Sequence, residues 1–169
     1  MRPSFITVHT LAAGIVGSTL VLAGCGGGVK QQVMQNAVGD KGTVTTDGNG
    51  AMHVQTSEGS FTAGSNSVPA DWPTDAPVYA GSTVTYTASV NPATGKPGNV
   101  IMLTSTAATQ TVVDFYKSSL KANGWNVTGT MEAAGSSVIT ATKDDRTLSL
   151  AVSGAEGQTS IVLGIEKGK

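Results

Sequence analysis

The first 25 residues decide how much of this chain is free to fold. Arg2 supplies a positive charge, residues 11–23 form an uncharged run rich in Leu, Val, Ile, Ala and Gly, and small residues precede Cys25, the single cysteine. This is the three-part layout of a secretory signal. The run is shorter than the ~20 apolar residues of a spanning helix and fits the ~7–15 residues of a signal core. An uncleaved helix with an ordinary buried cysteine is the alternative, but charge, then apolar run, then small residues suits processing better. Cleavage before Cys25 leaves 145 residues, the size of one domain plus a tether.

Charge narrows the partners. Without Arg2 the remainder holds nine Lys and Arg against eleven Asp and Glu, a net charge of −2. No basic patch is visible, so nucleic acid is not expected as a partner. Attachment to a membrane would have to come from lipid rather than from attraction to anionic head groups. Aromatic residues make up only 5%, which argues against stacking platforms for sugars or bases. A lone cysteine cannot form an internal disulfide.

Gly26-Gly27-Gly28 reads as a flexible joint. Val29, Val33 and Ala37 follow at i, i+4, i+8, the spacing of a short amphipathic helix ended by Gly39; a continued loose tether is the alternative. Residues 43–46 and 52–56 flank Asp47-Gly48-Asn49-Gly50, and Glu58-Gly59 precedes 60–63. Asp-Gly and Asn-Gly supply the positive φ of hairpin turns, so three short strands in a meander are expected. Pro69, Pro73 and Pro77 break regular structure over 65–81 and enclose Trp72, with Tyr79 after them. Trp72 is read as a latch that packs this connection onto the domain. A Pro-Trp-Pro ligand for an aromatic groove is the alternative.

The main domain is expected from about Ser82. Residues 83–90 alternate, with Val84, Tyr86, Ala88 and Val90 on one face of a strand and the threonines and Ser89 on the other. Residues 91–99 read as a loop and 100–105 as a second strand. Residues 109–123 carry Val112, Tyr116 and Leu120 at i, i+4, i+8, the stripe of an amphipathic helix, widened by Val113 and Phe115. Thr106 or Thr109 is the expected N-cap. Asp114 towards the front and Lys117 and Lys121 towards the back suit the helix dipole, and Asn123-Gly124 ends the helix. Four more strands are expected at 126–131, 138–143, 146–153 and 159–165, joined by turns at 134–136, Asp144-Asp145 and 154–157. The fold class is α+β: an antiparallel β-sheet with one main packing helix, preceded by a small β-hairpin or meander and a flexible lipid tether. The expected division is a leader at 1–24, Cys25 and a tether at 25–42, meander at 43–67, Pro-rich connection at 68–81 and antiparallel domain at 82–169.

Leu22-Ala23-Gly24-Cys25 resembles the lipobox of bacterial lipoproteins. Together with Asp71-Trp72-Pro73, Pro77-Val78-Tyr79, Asp114-Phe115-Tyr116-Lys117, Gly124-Trp125 and Ala141-Thr142-Lys143-Asp144-Asp145-Arg146, it makes the chain similar to a family of small, uncharacterised bacterial envelope lipoproteins. The resemblance implies cleavage between Gly24 and Cys25 and lipidation of the Cys25 thiol, palmitate being a typical acyl group. Two or more acyl chains hold stably where one does not. The implied location is the cell envelope, facing periplasm or exterior. It is the outer membrane in a two-membrane host, because Gly26 replaces the aspartate that retains lipoproteins at the inner one. The family implies no activity, substrate or catalytic residue.

Chemistry is sparse. His53 is the only histidine after the leader, and no serine sits in a Gly-x-Ser-x-Gly elbow. One histidine is a poor start for zinc. Asp47-Gly48-Asn49-Gly50 lacks the later ligands of a calcium loop, and Asp144-Asp145 reads as a turn rather than a cation site. The tri-glycine has no following Lys-Ser/Thr for a phosphate. The expectation is therefore no catalytic residue, no metal and no cofactor. The first reading is a non-catalytic binding or envelope-assembly module anchored by lipid, in which Trp72, Tyr79, Lys117 and Lys121 are the candidate surface and another envelope protein the candidate partner. The alternatives are an envelope hydrolase on an unrecognised carboxylate pair, or a structural surface coat. A deep cleft with converging carboxylates would favour the enzyme; a flat apolar or Thr-rich face would favour binding.

Overall fold

In the computed structural model, the described residues are 35–36, 38–90, 96–133 and 135–168. After a single 3₁₀ turn at Gly39–Lys41, the elements are β1 Gly42–Thr46, β2 Met52–Thr56, β3 Ser60–Ala63, β4 Thr83–Val90, β5 Pro97–Ser105, α1 Thr109–Ala122, β6 Asn126–Ala133, β7 Ser136–Lys143, β8 Arg146–Ala155 and β9 Gln158–Lys167. All nine strands form one sheet in the order β1-β2-β3-β4-β5-β9-β8-β7-β6, and every neighbouring pair is antiparallel. The three-strand meander is thus continuous with the larger sheet through pairing of Phe61–Ala63 with Tyr86–Ala88.

The helix carries the chain from β5 to the far edge of the sheet, and β7, β8 and β9 return until β9 fills the place beside β5. Val112, Val113, Tyr116 and Leu120 are buried on its inner face. They join Ile139, Leu148, Leu150, Ile161 and Leu163 in one core. The helix ends as its sequence requires. Gly124 takes φ +80, Trp125 donates its amide hydrogen to Leu120, and Gly124 donates to Lys121, which is the paired bonding of a Schellman motif.

Its start differs from expectation. The N-cap is Ala108, with no side-chain cap bond, so neither Thr106 nor Thr109 caps the helix. The Thr109 hydroxyl instead lies 3.3 Å from that of Thr159. Gly154 makes this approach possible, because a Cβ there would lie 2.5 Å from Thr109 Oγ1.

The alternation of β4 is also broken. Val84 pairs with Leu103 but Tyr86 pairs with Met102, so one extra residue is inserted between them. Such a bulge moves the residues beyond it to the opposite face. Thr87 consequently joins Val84 on the helix side and is buried, while Tyr86 and Ala88 face away. Strand ends extend beyond expectation as well: β5 starts at Pro97, β8 runs to Ala155 and β9 spans Gln158–Lys167. The β8–β9 turn shrinks to Glu156 and Gly157, both at positive φ (51° and 78°), the geometry of a two-residue type I′ hairpin.

The Pro-rich connection is a second cover for the same face. Trp72 donates from its backbone to Pro69 and Ala76 to Pro73, forming two tight turns. Trp72 Nε1 donates to the Ala76 carbonyl at 2.9 Å, and Trp72 and Ala76 belong to the core with Val84, Ile101 and Trp125.

Leu120→Ala should cost about 2–5 kcal/mol, as for a core leucine. Lys121→Gln, on the exposed side of the same helix, should change stability by no more than about 0.5 kcal/mol. Urea melts of the two variants check this, and the reverse ranking would mean that the inward face is misassigned.

Candidate functional site

Cys25 and Gly24 lie outside the described residues. The four candidate surface residues do not form one surface. Trp72 is only 8% exposed and is corrected to a core residue, its indole being enclosed by the fold. Tyr79 is half-buried, packed edge-on to Phe115 with ring centroids 5.1 Å apart, and its backbone N–H donates to the Tyr116 hydroxyl. Burial around Tyr116 pushes its phenol above the ordinary range. Lys117 forms an ion pair with Glu132 of β6. Lys121 is exposed.

The most organised charged cluster was not anticipated. Asp75, in the Pro-rich connection, receives two bonds from Arg146, Nη1 to Oδ1 at 2.9 Å and Nη2 to Oδ2 at 2.6 Å. Lys143 Nζ lies 2.7 Å from the same Oδ2 and also donates to the Asn123 carbonyl. The Arg146 guanidinium sits 5.0 Å over the Trp125 ring, and Trp125 Nε1 donates to the Asp75 carbonyl at 2.7 Å. Paired bonds of this kind are about twice as strong as neutral ones. Chiefly the Arg146 hydrogen bonds, and then Lys143, hold the Asp75 carboxyl well below the usual carboxylate range. The Asp75 carboxylate, the two Nη groups of Arg146 and the Lys143 ammonium are bonded within the cluster, which thereby clamps the Pro-rich connection, the helix end and the β7–β8 hairpin together.

A second grouping lies on β1–β3. His53 Nδ1 is 3.0 Å from Thr62 Oγ1, and its Nε2 is 3.6 Å from Asp47 Oδ2. Asp47 also accepts from the backbone N–H groups of Asn49 and Ala51, at 2.9 Å each. These bonds, Ala51 first, hold its carboxyl below the ordinary value and shape the loop. The carboxylate is beyond hydrogen-bond distance of the imidazole, so the three groups do not form a relay that would activate the hydroxyl.

The helix-free face of the sheet is organised differently. Tyr86, Met102, Val162, Ala151, Val138 and Met131 are successive cross-strand partners and form an apolar row over six strands. At ~4.8 Å per strand the row is about 24 Å long. It opens towards its end: Tyr86, Met102 and Val162 are half-buried, whereas Val138 is 45% and Met131 72% exposed. Thr104, Ser160, Ser153 and Ser136 form a hydroxyl row beside it. Period-2 alternation on each strand encoded both rows, but only the pairing order brings them together.

Among the described residues there is no group of three or more His, Cys, Asp or Glu placed to hold a metal. Five recesses there carry at most one carboxylate each. The largest, about 380 Å³, lies between the start of α1 and the β6–β7 hairpin and has Glu132 as its acid.

A family model described as START domain-like matches residues 84–160, from β4 to the beginning of β9. The chain is also similar to the solution structure of cyanobacterial PsbP from Synechocystis sp. PCC 6803, at 15% identity over 88% of this chain and 87% of that one, with a TM-score of 0.35. A likeness at that score carries no argument about function. No curated protein matches the chain. The lipobox lies outside the residues that the family model matches.

The clamp makes stability pH-dependent in a defined direction. Because the folded carboxyl of Asp75 titrates lower than an unfolded one, its contribution is complete above the ordinary value near 4 and is lost as pH falls below it. Asp75→Asn should cost about 1–3 kcal/mol at pH 7 by leaving Arg146 and Lys143 without their partner, and should flatten the acid limb. Urea melts between pH 2 and 7 measure both effects. An unchanged acid limb would exclude Asp75 as its source.

Proposed function

We propose that this chain is a membrane-tethered, non-catalytic bacterial envelope lipoprotein that works as a binding or envelope-assembly module, attached through acylated Cys25 and facing the periplasm or the exterior. The observation that carries the binding part is the apolar row ending at the exposed Val138 and Met131 on the helix-free face, flanked by serine and threonine hydroxyls. An apolar strip of this kind, rimmed by neutral donors and acceptors, suits a macromolecular partner better than a small substrate. The tethering part is supported by the order of Arg2, the apolar run 11–23 and Leu22-Ala23-Gly24-Cys25. No described helix is long and apolar enough to cross a membrane. In a two-membrane host the outer membrane is the proposed location, following Gly26.

The anchor is tested by metabolic labelling with an alkyne-tagged palmitate. Wild type should incorporate label and Cys25→Ser should not, since Cys25 is the only thiol in the chain. Equal labelling of both forms ends the lipoprotein reading. The binding role is tested separately, by recovering envelope components with the lipidated protein. An envelope protein enriched by wild type and lost from Val138→Asp supports it; recovery that ignores this substitution counts against the face.

A further inference from the structure

The two edges of the sheet are treated differently. At β1 the side chain of Gln35 stands in for a neighbouring strand: its Oε1 accepts from the Val44 N–H at 2.7 Å, and its Nε2 donates to the Gly42 carbonyl at 3.0 Å. Behind that plugged edge, Val44 and Val54 are 3% and 1% exposed. At β6 no described strand pairs with the outer edge. Seven of its eight residues are exposed, and its outermost apolar side chain, Met131, ends the open row. Folded proteins commonly protect an edge with a lysine, a proline, a bulge or a cover. β6 has neither lysine nor proline, its one bulge is confined to Thr128 between Val127 and Gly129, and its one charged residue, Glu132, is already neutralised by Lys117.

We propose that β6 is a self-association edge, at which two copies of this chain pair antiparallel through Val127–Ala133 and join their sheets. The strand is complementary to itself. Centred on Thr130, a two-fold pairing sets threonine against threonine, a favourable cross-strand pair. Each Met131 then lies beside Gly129 of the other copy, where the missing side chain leaves it room. Each Glu132 faces Thr128 of the other copy, so no like charges meet. Paired residues share a face, so the two apolar rows become one continuous strip across the joined sheets. Seven residues at ~3.4 Å span about 24 Å, and one such strand contact falls short of the ~1,600 Å² of a standard interface. The dimer is therefore weak and concentration-dependent, and confinement of the chain to a membrane surface would raise its population.

The test uses the full chain purified in detergent, followed by sedimentation equilibrium over a range of concentrations. Wild type should show a monomer–dimer equilibrium, and Met131→Lys should weaken it at least about tenfold by removing apolar burial and placing two cations at the seam. Met131 is 72% exposed, so a thermal melt of the variant should match wild type. In a second arm, Thr130→Cys should form an intermolecular disulfide on mild oxidation above the wild-type background, because directly paired strand positions lie within disulfide reach. Lys121→Cys, on the exposed side of α1, should not. A monomer at every concentration, association indifferent to Met131→Lys, or equal cross-linking at positions 130 and 121 would each overturn the proposal. Association by the N-terminal anchor alone would produce the second of these results.

Discussion

Covering one face of a wide sheet is the constraint on which the rest of this molecule depends. Nine strands at ~4.8 Å span close to 40 Å, whereas a helix is ~10–12 Å across with its side chains. One helix therefore shields only a few strands, and α1 contacts β6, β7 and β8. The Pro-rich connection supplies the missing width. Its prolines deny it regular pairing, but Trp72 buries a large ring, and the loop satisfies that ring's N–H internally through Ala76. Such a loop has little intrinsic rigidity, which gives the Asp75–Arg146 bidentate pair its importance: it fixes the second cover to the hairpin beneath it. At β1–β3 the apolar residues change sides, with Val44 and Val54 on the helix-free face and Thr45, His53 and Thr62 on the other. The two register shifts between β4 and β5, one extra residue in each strand, lie where this change of sides begins.

The parts of this arrangement that rest on local chemistry were legible in the sequence. The stripe Val112, Tyr116 and Leu120, the Asn123-Gly124 stop and the short strands around Asp47-Gly48 and Glu58-Gly59 depend on residues within one or two turns of one another. Trp72 as a latch was legible too, because a large ring within a proline run has few other uses in a small domain. The parts that depend on distant partners were hidden. Asp75 and Arg146 are 71 positions apart, and nothing near either announces the other. The inserted residue in β4 leaves the alternating pattern of Val84, Tyr86 and Ala88 looking intact, although the structure separates the first from the other two. The helix cap failed for a different reason: Thr109 satisfies its hydroxyl on Thr159, a competitor that only tertiary packing brings near.

The candidate surface was legible only as composition. A Thr- and Ser-rich chain with few charges suggested neutral faces, but which apolar residues would be exposed depends on strand order. Met131 and Val138 alternate with residues that face the core or its rim, and neither stands out within its own segment. Their exposure follows because α1 lies on the opposite side of the sheet. Lys117 shows the converse. A lysine one position beyond a buried stripe residue is placed outside by helix geometry, yet β6 brings Glu132 up to meet it.

The distribution of charge ties these observations together. Only 12% of residues are charged, and several of them are spent on internal geometry: Asp75 with Arg146 and Lys143, Lys117 with Glu132, and Asp47 on its own loop. Little net field remains to steer a partner from a distance, so electrostatic acceleration of encounter has little to act upon. Recognition by such a surface relies on contact area, shape and neutral hydrogen bonds, which are short-ranged and individually weak. A surface of that kind gains most from being held near its partner. The proposed tether at Leu22-Ala23-Gly24-Cys25 would supply that proximity by confining the domain to a plane, where weak contacts act at raised effective concentration. Sparse charge and an open apolar row are thus physically consistent with the proposed lipid anchor, which would compensate for the limits that the first two set.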